Sequence, residues 1–317
     1  MIKFDKNPRN LSNKFLLKYH RKLLTDEIRI KAYRESIENE INKGDIVADL
    51  GCGTGILSFF ACQSEAKKVY SIEESSFLIK LAKRISNFNN FERKISFLNK
   101  NSLVIENLDI KEKINVLITE IMGSFGLEEN ILTYIIDFRD RFMNKTNIKI
   151  IPNRLKLYII PYENEDFYKK DELELNWLNT NYNLDFKDFT LINKELAFIP
   201  DDLKSRINKK NFITDPIEIS NIDLLNVKKV DLDIKCKIKI KNLKNIRKLH
   251  GFCGFFKAIL SSNPNVNLTN SPLEPDTSFS QIYFPIKNPQ KIRNGDIIKI
   301  HLNYSPPVNW NLEYSII

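Results

Sequence analysis

Hydrophobic and polar positions divide the chain into three stretches with different periodicity. Over residues 15–42, apolar side chains recur at helical spacing, and Thr25 and Asp26 mark a point where a second helix can begin. From residue 45 to residue 152, short apolar segments alternate with helical ones, which is typical of a parallel sheet with connecting helices. The pattern therefore predicts an N-terminal helical segment (residues 1–44) and an α/β domain (residues 45–152).

The remaining residues, 153–317, have the alternation of antiparallel strands. Between Val230 and Ile240, apolar and charged side chains alternate without exception, as expected for a strand with one buried face. Further strands are predicted at residues 249–260, 280–286 and 297–304. This half is expected to be a β-barrel or a β-sandwich. Residues 162–210, rich in acidic, amide and aromatic side chains, are long for a connection and predict a helical excursion.

A glycine-rich turn follows the first predicted strand, Ile46–Leu50. Gly51, Gly53 and Gly55 have the spacing GxGxG, and an apolar helix comes next. Glycine lets the backbone approach a ligand closely, and the carboxylate of Asp49 opposes a pyrophosphate but suits a cation. S-adenosyl-L-methionine is such a cation, through its ammonium and sulfonium groups. The turn is therefore interpreted as a site for this cofactor, with an ordinary strand-to-helix turn as the alternative.

Polar residues also follow the second and third predicted strands. Glu73 ends the second strand, at the distance where a carboxylate accepts hydrogen bonds from both ribose hydroxyls. Asn101 and Ser102 come just after the third strand, where the edge of the adenine is expected. For these two residues, an ordinary polar loop is the alternative.

Two glutamates lie at the two ends of the loop that follows the fourth predicted strand. Glu120 ends that strand, and Gly123 and Gly126 permit a loop that brings Glu129 back opposite it. Two carboxylates in one pocket repel each other unless a cation lies between them. The guanidinium of arginine is planar and forked, so it can bind a carboxylate on each side. The pair is therefore interpreted as an arginine clamp.

Composition narrows the possible functions. The chain has 317 residues, of which 42% are hydrophobic and 28% charged, so it can form a substantial core. No leader and no apolar run long enough for a membrane helix is evident. The four cysteines form no CxxC pair and only three histidines are present, which predicts no metal site and a reducing cytoplasm. The net charge of +9 is spread along the chain, which disfavours nucleic-acid binding.

The loop with the two glutamates resembles that of the protein arginine N-methyltransferases. Residues 120–123 and Glu129 fit the spacing of that family's loop, and Glu128 is the alternative for the second position. The resemblance extends to the N-terminal helix, where Arg29 would hold the cofactor's carboxylate; its alternative role is an ion pair with Asp26. Other segments that resemble the family are Tyr19–His20, residues 26–34, residues 152–154, residues 162–210 and residues 294–296.

This resemblance implies a fold, an activity and a partner. The fold is α/β: a Rossmann-like methyltransferase domain with N-terminal helices, followed by an all-β barrel-like domain that carries a helical dimerisation arm at about residues 162–210. The activity is transfer of methyl groups from S-adenosyl-L-methionine to exposed arginines of protein substrates. The chain is expected to form a homodimer.

One motif departs from the family's pattern. The family's Thr-His-Trp motif is replaced by Thr277, Ser278 and Phe279, which is similar to the branch that makes symmetric dimethylarginine. Ser278 and Phe279, with Leu23 and His20 from the N-terminal helix, are candidates for the acceptor pocket. His20 is either a helix-surface or supporting residue or a proton acceptor.

Two alternatives to arginine methylation stay open at this point. One is a methyltransferase of the same fold that acts on a small molecule or on another nucleophile. The other is a non-catalytic partner that binds the cofactor and dimerises.

Overall fold

The computed structural model describes residues 8–144, 146–165, 168, 207–306 and 309–317. Two helices come first, α1 (Pro8–Leu24) and α2 (Glu27–Glu40). They separate at Asp26, whose carboxylate accepts a hydrogen bond of 3.0 Å from the backbone N–H of Arg29 and so caps α2. The predicted start of a second helix near Thr25 and Asp26 is confirmed. Within the described residues, no helix is long and apolar enough to span a bilayer.

A parallel sheet forms the core of the α/β domain, in the strand order β3-β2-β1-β4-β5. Its strands are β1 (Ile46–Leu50), β2 (Lys68–Ile72), β3 (Ile95–Leu98), β4 (Val116–Thr119) and β5 (Lys149–Ile151). Its helices are α3 (Ile56–Gln63), α4 (Ser76–Phe88) and α5 (Ile131–Phe142). Strands β2 and β3 lie on one side of β1, and β4 and β5 lie on the other, so the strand order reverses between β1 and β4. A crevice opens at the carboxyl ends of these two strands.

Antiparallel strands make up the second half of the chain. One sheet has the order β10-β9-β6-β7, with β11 also paired to β9, and another has the order β13-β12-β8. The strands are β6 (Arg154–Tyr162), β7 (Ile217–Asp223), β8 (Leu232–Lys239), β9 (Arg247–Ser262), β10 (Asn265–Thr269), β11 (Ile282–Ile292), β12 (Ile297–Ser305) and β13 (Asn309–Ile316). The four strands expected from the sequence are present; β8, β9 and β12 agree to within two residues at each end, and β11 extends six residues beyond its predicted end. A Rossmann-like domain with N-terminal helices, followed by a β-rich domain, is therefore confirmed.

The two halves share their buried side chains. One continuous apolar cluster includes residues of α2, of the parallel sheet and of the antiparallel strands. The predicted division at residue 152 therefore stays a prediction. Of the predicted helical excursion, residues 166–167 and 169–206 lie outside the described residues, and with them the aromatic residues Phe167, Trp177, Tyr182 and Phe186.

Candidate active site

A cavity of about 560 Å³ lies at the carboxyl ends of β1, β2 and β4, between the N-terminal helices and the β-rich domain. This volume is in the range of small-molecule sites. Most of the residues predicted from the sequence line it. These are His20, Leu23, Arg29, Gly51, Gly53, Glu73, Asn101, Ser102, Glu120, Glu129, Ser278 and Phe279.

The glycine turn (residues 51–55) forms one wall. Gly53 has φ +54°, and a Cβ atom added there would lie 2.7 Å from Cε1 of His20, so this position excludes a side chain. The backbone N–H of Gly53 donates to Glu73 Oε2 at 3.0 Å, and the N–H of Ser75 donates to Glu73 Oε1 at 2.7 Å. The Glu73 carboxylate is thereby fixed at the cavity edge, and each oxygen keeps a lone pair for a further donor.

Two residues of the turn predicted to bind the cofactor do not reach the cavity. Asp49 is fully buried beneath the turn, where its Oδ2 accepts from Ser58 Oγ at 2.6 Å. Burial raises the pKa of Asp49 to about 7. Successive residues of a strand point to opposite faces, so Asp49 points toward the neighbouring helix while Leu50 lines the cavity. Gly55 starts α3 with φ +88° and packs against Phe59. Asp49 and Gly55 therefore do not line the cavity, and their predicted role in binding the cofactor stays a prediction.

The far end of the cavity contains residues that the sequence did not single out. Asn101 Nδ2 donates to Glu74 Oε2 at 3.2 Å and to the Tyr134 hydroxyl at 3.4 Å, and all three residues line the cavity. Lys100 lines it too. Tyr134 lies on α5, a helix not predicted from the sequence, so nothing marked it beforehand. Glu74 directly follows Glu73, and its position after a strand was the available signal.

Arg29 and Glu120 form an ion pair inside the cavity. Both side chains are largely buried, and Arg29 Nη1 also donates to the Leu23 carbonyl at 2.9 Å. Burial lowers the pKa of Arg29, but the Glu120 carboxylate more than offsets this, so the pKa is raised. Burial raises the pKa of Glu120 against the opposing effect of Arg29. Asp26, the alternative partner of Arg29, accepts a hydrogen bond from the backbone N–H of Arg29 and not from its guanidinium.

Glu129, and not Glu128, lines the cavity with Glu120. The pKa of Glu129 is raised to about 7, chiefly by desolvation and also by the carboxylates of Glu120 and Glu128. Tyr19 lines the cavity close to both carboxylates of the pair, and burial, then Glu129 and Glu120, raise its pKa. Tyr19 was not among the site residues predicted from the sequence, although the Tyr19–His20 pair resembles the N-terminal helix of the family.

The residues predicted to line the acceptor pocket come together where the N-terminal helices meet the β-rich domain. The backbone N–H of Ser278 donates to Asp26 Oδ2 at 2.5 Å, which ties the β-rich domain to the start of α2. The Phe279 ring meets Phe256 edge to face at 5.1 Å. His20 stands over the glycine turn, and burial followed by the charge of Arg29 lowers its pKa.

Carboxylates dominate the chemistry of this cavity. Glu73, Glu74, Glu120 and Glu129 line it, against the cations of Lys22, Arg29 and Lys100. Among the described residues, no group of three or more histidine, cysteine or acidic side chains could hold a metal ion. A cavity with a tight glycine turn at one side and two facing carboxylates at the other can bind two organic cations next to each other.

Comparisons with known proteins identify the family of the chain. The family described as "arginine methyltransferase oligomerization subdomain" matches residues 153–317, and that described as "ribosomal protein L11 methyltransferase (PrmA)" matches residues 31–133. Protein arginine N-methyltransferase 1 of Dictyostelium discoideum is 30% identical over 291 residues, which cover 90% of this chain and 81% of the relative. A probable protein arginine N-methyltransferase 6 of Arabidopsis thaliana is 28% identical, over 92% of this chain and 66% of the relative.

Solved structures share the fold at low sequence identity. The Trypanosoma brucei PRMT1 enzyme-prozyme heterotetrameric complex with AdoHcy superposes with a TM-score of 0.77 at 21% identity, covering 94% of this chain and 97% of that chain. Arabidopsis thaliana protein arginine methyltransferase 10 superposes with a TM-score of 0.75 at 20% identity, covering 95% and 99%. Because a relative is 30% identical over 81% of its length and the family's oligomerization subdomain matches residues 153–317, this chain belongs to the protein arginine N-methyltransferase family.

Proposed function

We propose that this protein transfers methyl groups from S-adenosyl-L-methionine to guanidinium nitrogens of arginine side chains in other proteins. The observation that carries the proposal is the presence of Glu120 and Glu129 in the same cavity as the glycine turn. The family membership and the names of its relatives support it. A non-catalytic partner would have no need of two desolvated carboxylates in one cavity.

The residues at the glycine turn fit the cofactor. Gly53 lets the backbone of the turn line the cavity beside His20, and Glu73 can present carboxylate oxygens to the ribose hydroxyls. Asn101 and Ser102 line the part of the cavity expected to take the adenine. Arg29, which lines the cavity, can bind the cofactor's carboxylate. Bound S-adenosyl-L-methionine supplies the methyl group on a sulfonium that is already a good leaving group.

The chain's own contribution is to orient and activate the acceptor nitrogen. A guanidinium is a weak nucleophile because its electrons are delocalised, and its pKa stays above about 12. Glu120 and Glu129 would draw positive charge toward the nitrogens they bind and leave the terminal nitrogen richer in electrons. When the new bond forms, that nitrogen becomes acidic. Glu129 is suited to accept the proton, because its pKa of about 7 is close to neutral pH.

Radioactive methyl transfer tests the proposal directly. The purified protein is incubated with methyl-labelled cofactor and a cell extract, and the labelled protein is hydrolysed to amino acids. We expect label in methylated arginine, with none for Glu129→Gln, although that variant still binds S-adenosylhomocysteine in calorimetry. Label in another amino acid or in a small molecule would refute arginine as the acceptor. Cofactor binding without any transfer would favour the non-catalytic alternative.

The product is proposed to be monomethylarginine and symmetric dimethylarginine. For symmetric transfer, the first methyl must turn away from the sulfonium, so space on the barrel side of the pocket decides the outcome. Ser278 and Phe279 line this side, and Leu23 lines the cavity from α1. Amino-acid analysis of a methylated peptide should show the symmetric form, and Ser278→His should change the pattern. Asymmetric dimethylarginine as the main late product would contradict this proposal.

Oligomer and compartment complete the proposal. A homodimer is supported by the match to an oligomerization subdomain. A reducing compartment such as the cytoplasm is supported by the cysteines, since all four lie in the described part and are unpaired. Imaging of a fluorescently labelled chain in its own cells tests the compartment, and accumulation outside the cytoplasm would contradict it.

A further inference from the structure

Glu128 is the buried acidic side chain next to the clamp that the proposed function leaves without a role. Its carboxylate points away from the cavity and toward the β-rich domain. Oε1 accepts from the Trp310 indole Nε1–H at 2.9 Å, and Oε2 accepts from the backbone N–H of Phe125 at 3.0 Å. An indole N–H is a donor only, so a buried tryptophan needs such an acceptor. Trp310 lies on β13 and is 7% exposed.

Other residues of the β-rich domain hold the middle of the carboxylate loop (residues 120–130). The Tyr304 hydroxyl, on β12, donates to the Leu127 carbonyl at 2.7 Å. Asn270 Nδ2 donates to the Ser124 carbonyl at 2.7 Å. The Phe125 ring packs on Trp310 with ring centres 4.8 Å apart. Backbone and side-chain contacts therefore fix the middle of the loop to the barrel, 140 or more residues further along the chain.

Gly123 shows how closely the Glu128 carboxylate fits this loop. A Cβ atom at Gly123 would lie 2.6 Å from the Glu128 Cβ and would displace the carboxylate as well. Because that atom would meet the side chain from its base, no rotation of the glutamate could relieve the overlap. The glutamate at position 128 therefore requires a glycine at position 123.

Consecutive side chains in the loop point to different sides. With Glu128 held on the barrel side, the next residue, Glu129, lies on the cavity side with Glu120. We propose that Glu128 is a positioning residue of the transfer site: its contact with Trp310 sets the place of Glu129 relative to Glu120, so the barrel helps to shape the acceptor clamp. This inference rests on the proposed function, because it assigns Glu129 to the acceptor.

Kinetics of three variants test the inference. Trp310→Phe keeps an aromatic ring but removes the indole N–H, Glu128→Leu removes the acceptor, and Glu128→Gln keeps an acceptor oxygen. We expect Trp310→Phe and Glu128→Leu to lower kcat/KM for an arginine peptide on the order of tenfold to a hundredfold, as a small misplacement of a reacting group can. Glu128→Gln should keep most of the activity. The double variant Trp310→Phe/Glu128→Leu should have nearly the same kcat/KM as either single variant, because both substitutions break the same contact.

Controls separate positioning from general damage. Affinity for S-adenosylhomocysteine, measured by calorimetry, should stay within a few-fold of wild type in every variant, since the glycine turn is untouched. Tyr314→Phe, on the same strand as Trp310 but packed against Phe252, should behave as wild type. Loss of cofactor affinity in parallel with activity would overturn the inference, and so would wild-type kcat/KM in both Glu128→Leu and Trp310→Phe. A wild-type protein that methylates no arginine would overturn the proposed function and this inference together, which distinguishes the two failures.

Discussion

Glu120 and Glu129 line one cavity but differ in what balances their charge. Glu120 is paired with Arg29, and the two side chains are 11% and 8% exposed. Glu129 has no ion-pair partner among the described side chains, and its pKa is raised to about 7. An incoming arginine would therefore compensate Glu129 directly, but at Glu120 it would share a carboxylate with Arg29. Replacing Glu120 by a neutral side chain should therefore affect the protein differently from replacing Glu129.

We predict that Glu120→Gln destabilises the fold strongly and Glu129→Gln does not. Removing one partner of a buried pair leaves the other charge uncompensated, which costs about 3 to 5 kcal/mol. Denaturant unfolding of the two variants at neutral pH measures the difference. Saturating S-adenosyl-L-methionine should restore part of the loss in Glu120→Gln, because its carboxylate can compensate Arg29. Equal stability of the two variants would contradict this account of the ion pair.

A pH profile should report Glu129. The groups that act on its pKa are Glu120, Glu128 and, with the opposite sign, Arg29. A carboxyl with a raised pKa is neutral below that value and charged above it, and the clamp needs the charged form. We predict that kcat/KM for an arginine peptide rises as pH increases through about 7.

The titration of one further carboxyl group must be distinguished from that of Glu129 in the pH dependence of kcat/KM. The pKa of Asp49 is also raised to about 7, by burial. Asp49→Asn should keep the rise in kcat/KM if Glu129 causes it, because Asp49 does not reach the cavity. A rise that disappears in Asp49→Asn, or a flat wild-type profile across neutral pH, would contradict the assignment to Glu129.

At the scale of elements, regular periodicity made some parts of the fold predictable and not others. The alternation of β8 and the glycine turn after β1 were visible because each has a local signature. The pattern along β6 breaks down because its last four residues are all buried, so alternation did not reveal this strand. The Arg29–Glu120 pair joins residues 91 positions apart, which no local pattern indicates. Asp49 was expected at the ligand because its charge suits a cation, whereas its strand position places its side chain in the core.

The junction between α1 and α2 supports a prediction at this scale. Asp26 uses Oδ1 to cap α2 and Oδ2 to accept the N–H of Ser278. Asp26→Ser keeps a capping oxygen, whereas Asp26→Ala keeps none, so the alanine variant should be less stable by about 1 kcal/mol. Both variants lose the second acceptor, and both should raise KM for an arginine peptide to a similar extent.

Unfolding in urea and steady-state kinetics on the two Asp26 variants separate the two roles. Equal stability of Asp26→Ser and Asp26→Ala would show that the cap contributes little. A KM that rises only in Asp26→Ala would show that the contact with Ser278 does not matter to the acceptor pocket.

At the scale of the whole molecule, the cavity is shared by parts that are far apart in the chain. The N-terminal helices, the parallel sheet and the β-rich domain each contribute lining residues. The sequence predicted these parts separately, but their mutual placement depends on the buried cluster that runs through all of them. Any contact that holds the N-terminal helices in place therefore affects both ligands.

The N-terminal helices also expose apolar side chains that a second copy could cover. Phe15 is 73% exposed and Ile28 is 41% exposed. Exposed apolar side chains of this kind favour association. We predict a homodimer that covers this surface, with a mass in light scattering twice the 37.2 kDa of one chain.

Phe15→Ser with Ile28→Ser should shift the protein toward the monomer and weaken cofactor binding, because α1 and α2 line the cavity. Phe88→Ser, a change at a residue of α4 that is even more exposed (82%), serves as the control and should leave the dimer intact. A monomeric wild type with full activity would contradict this prediction.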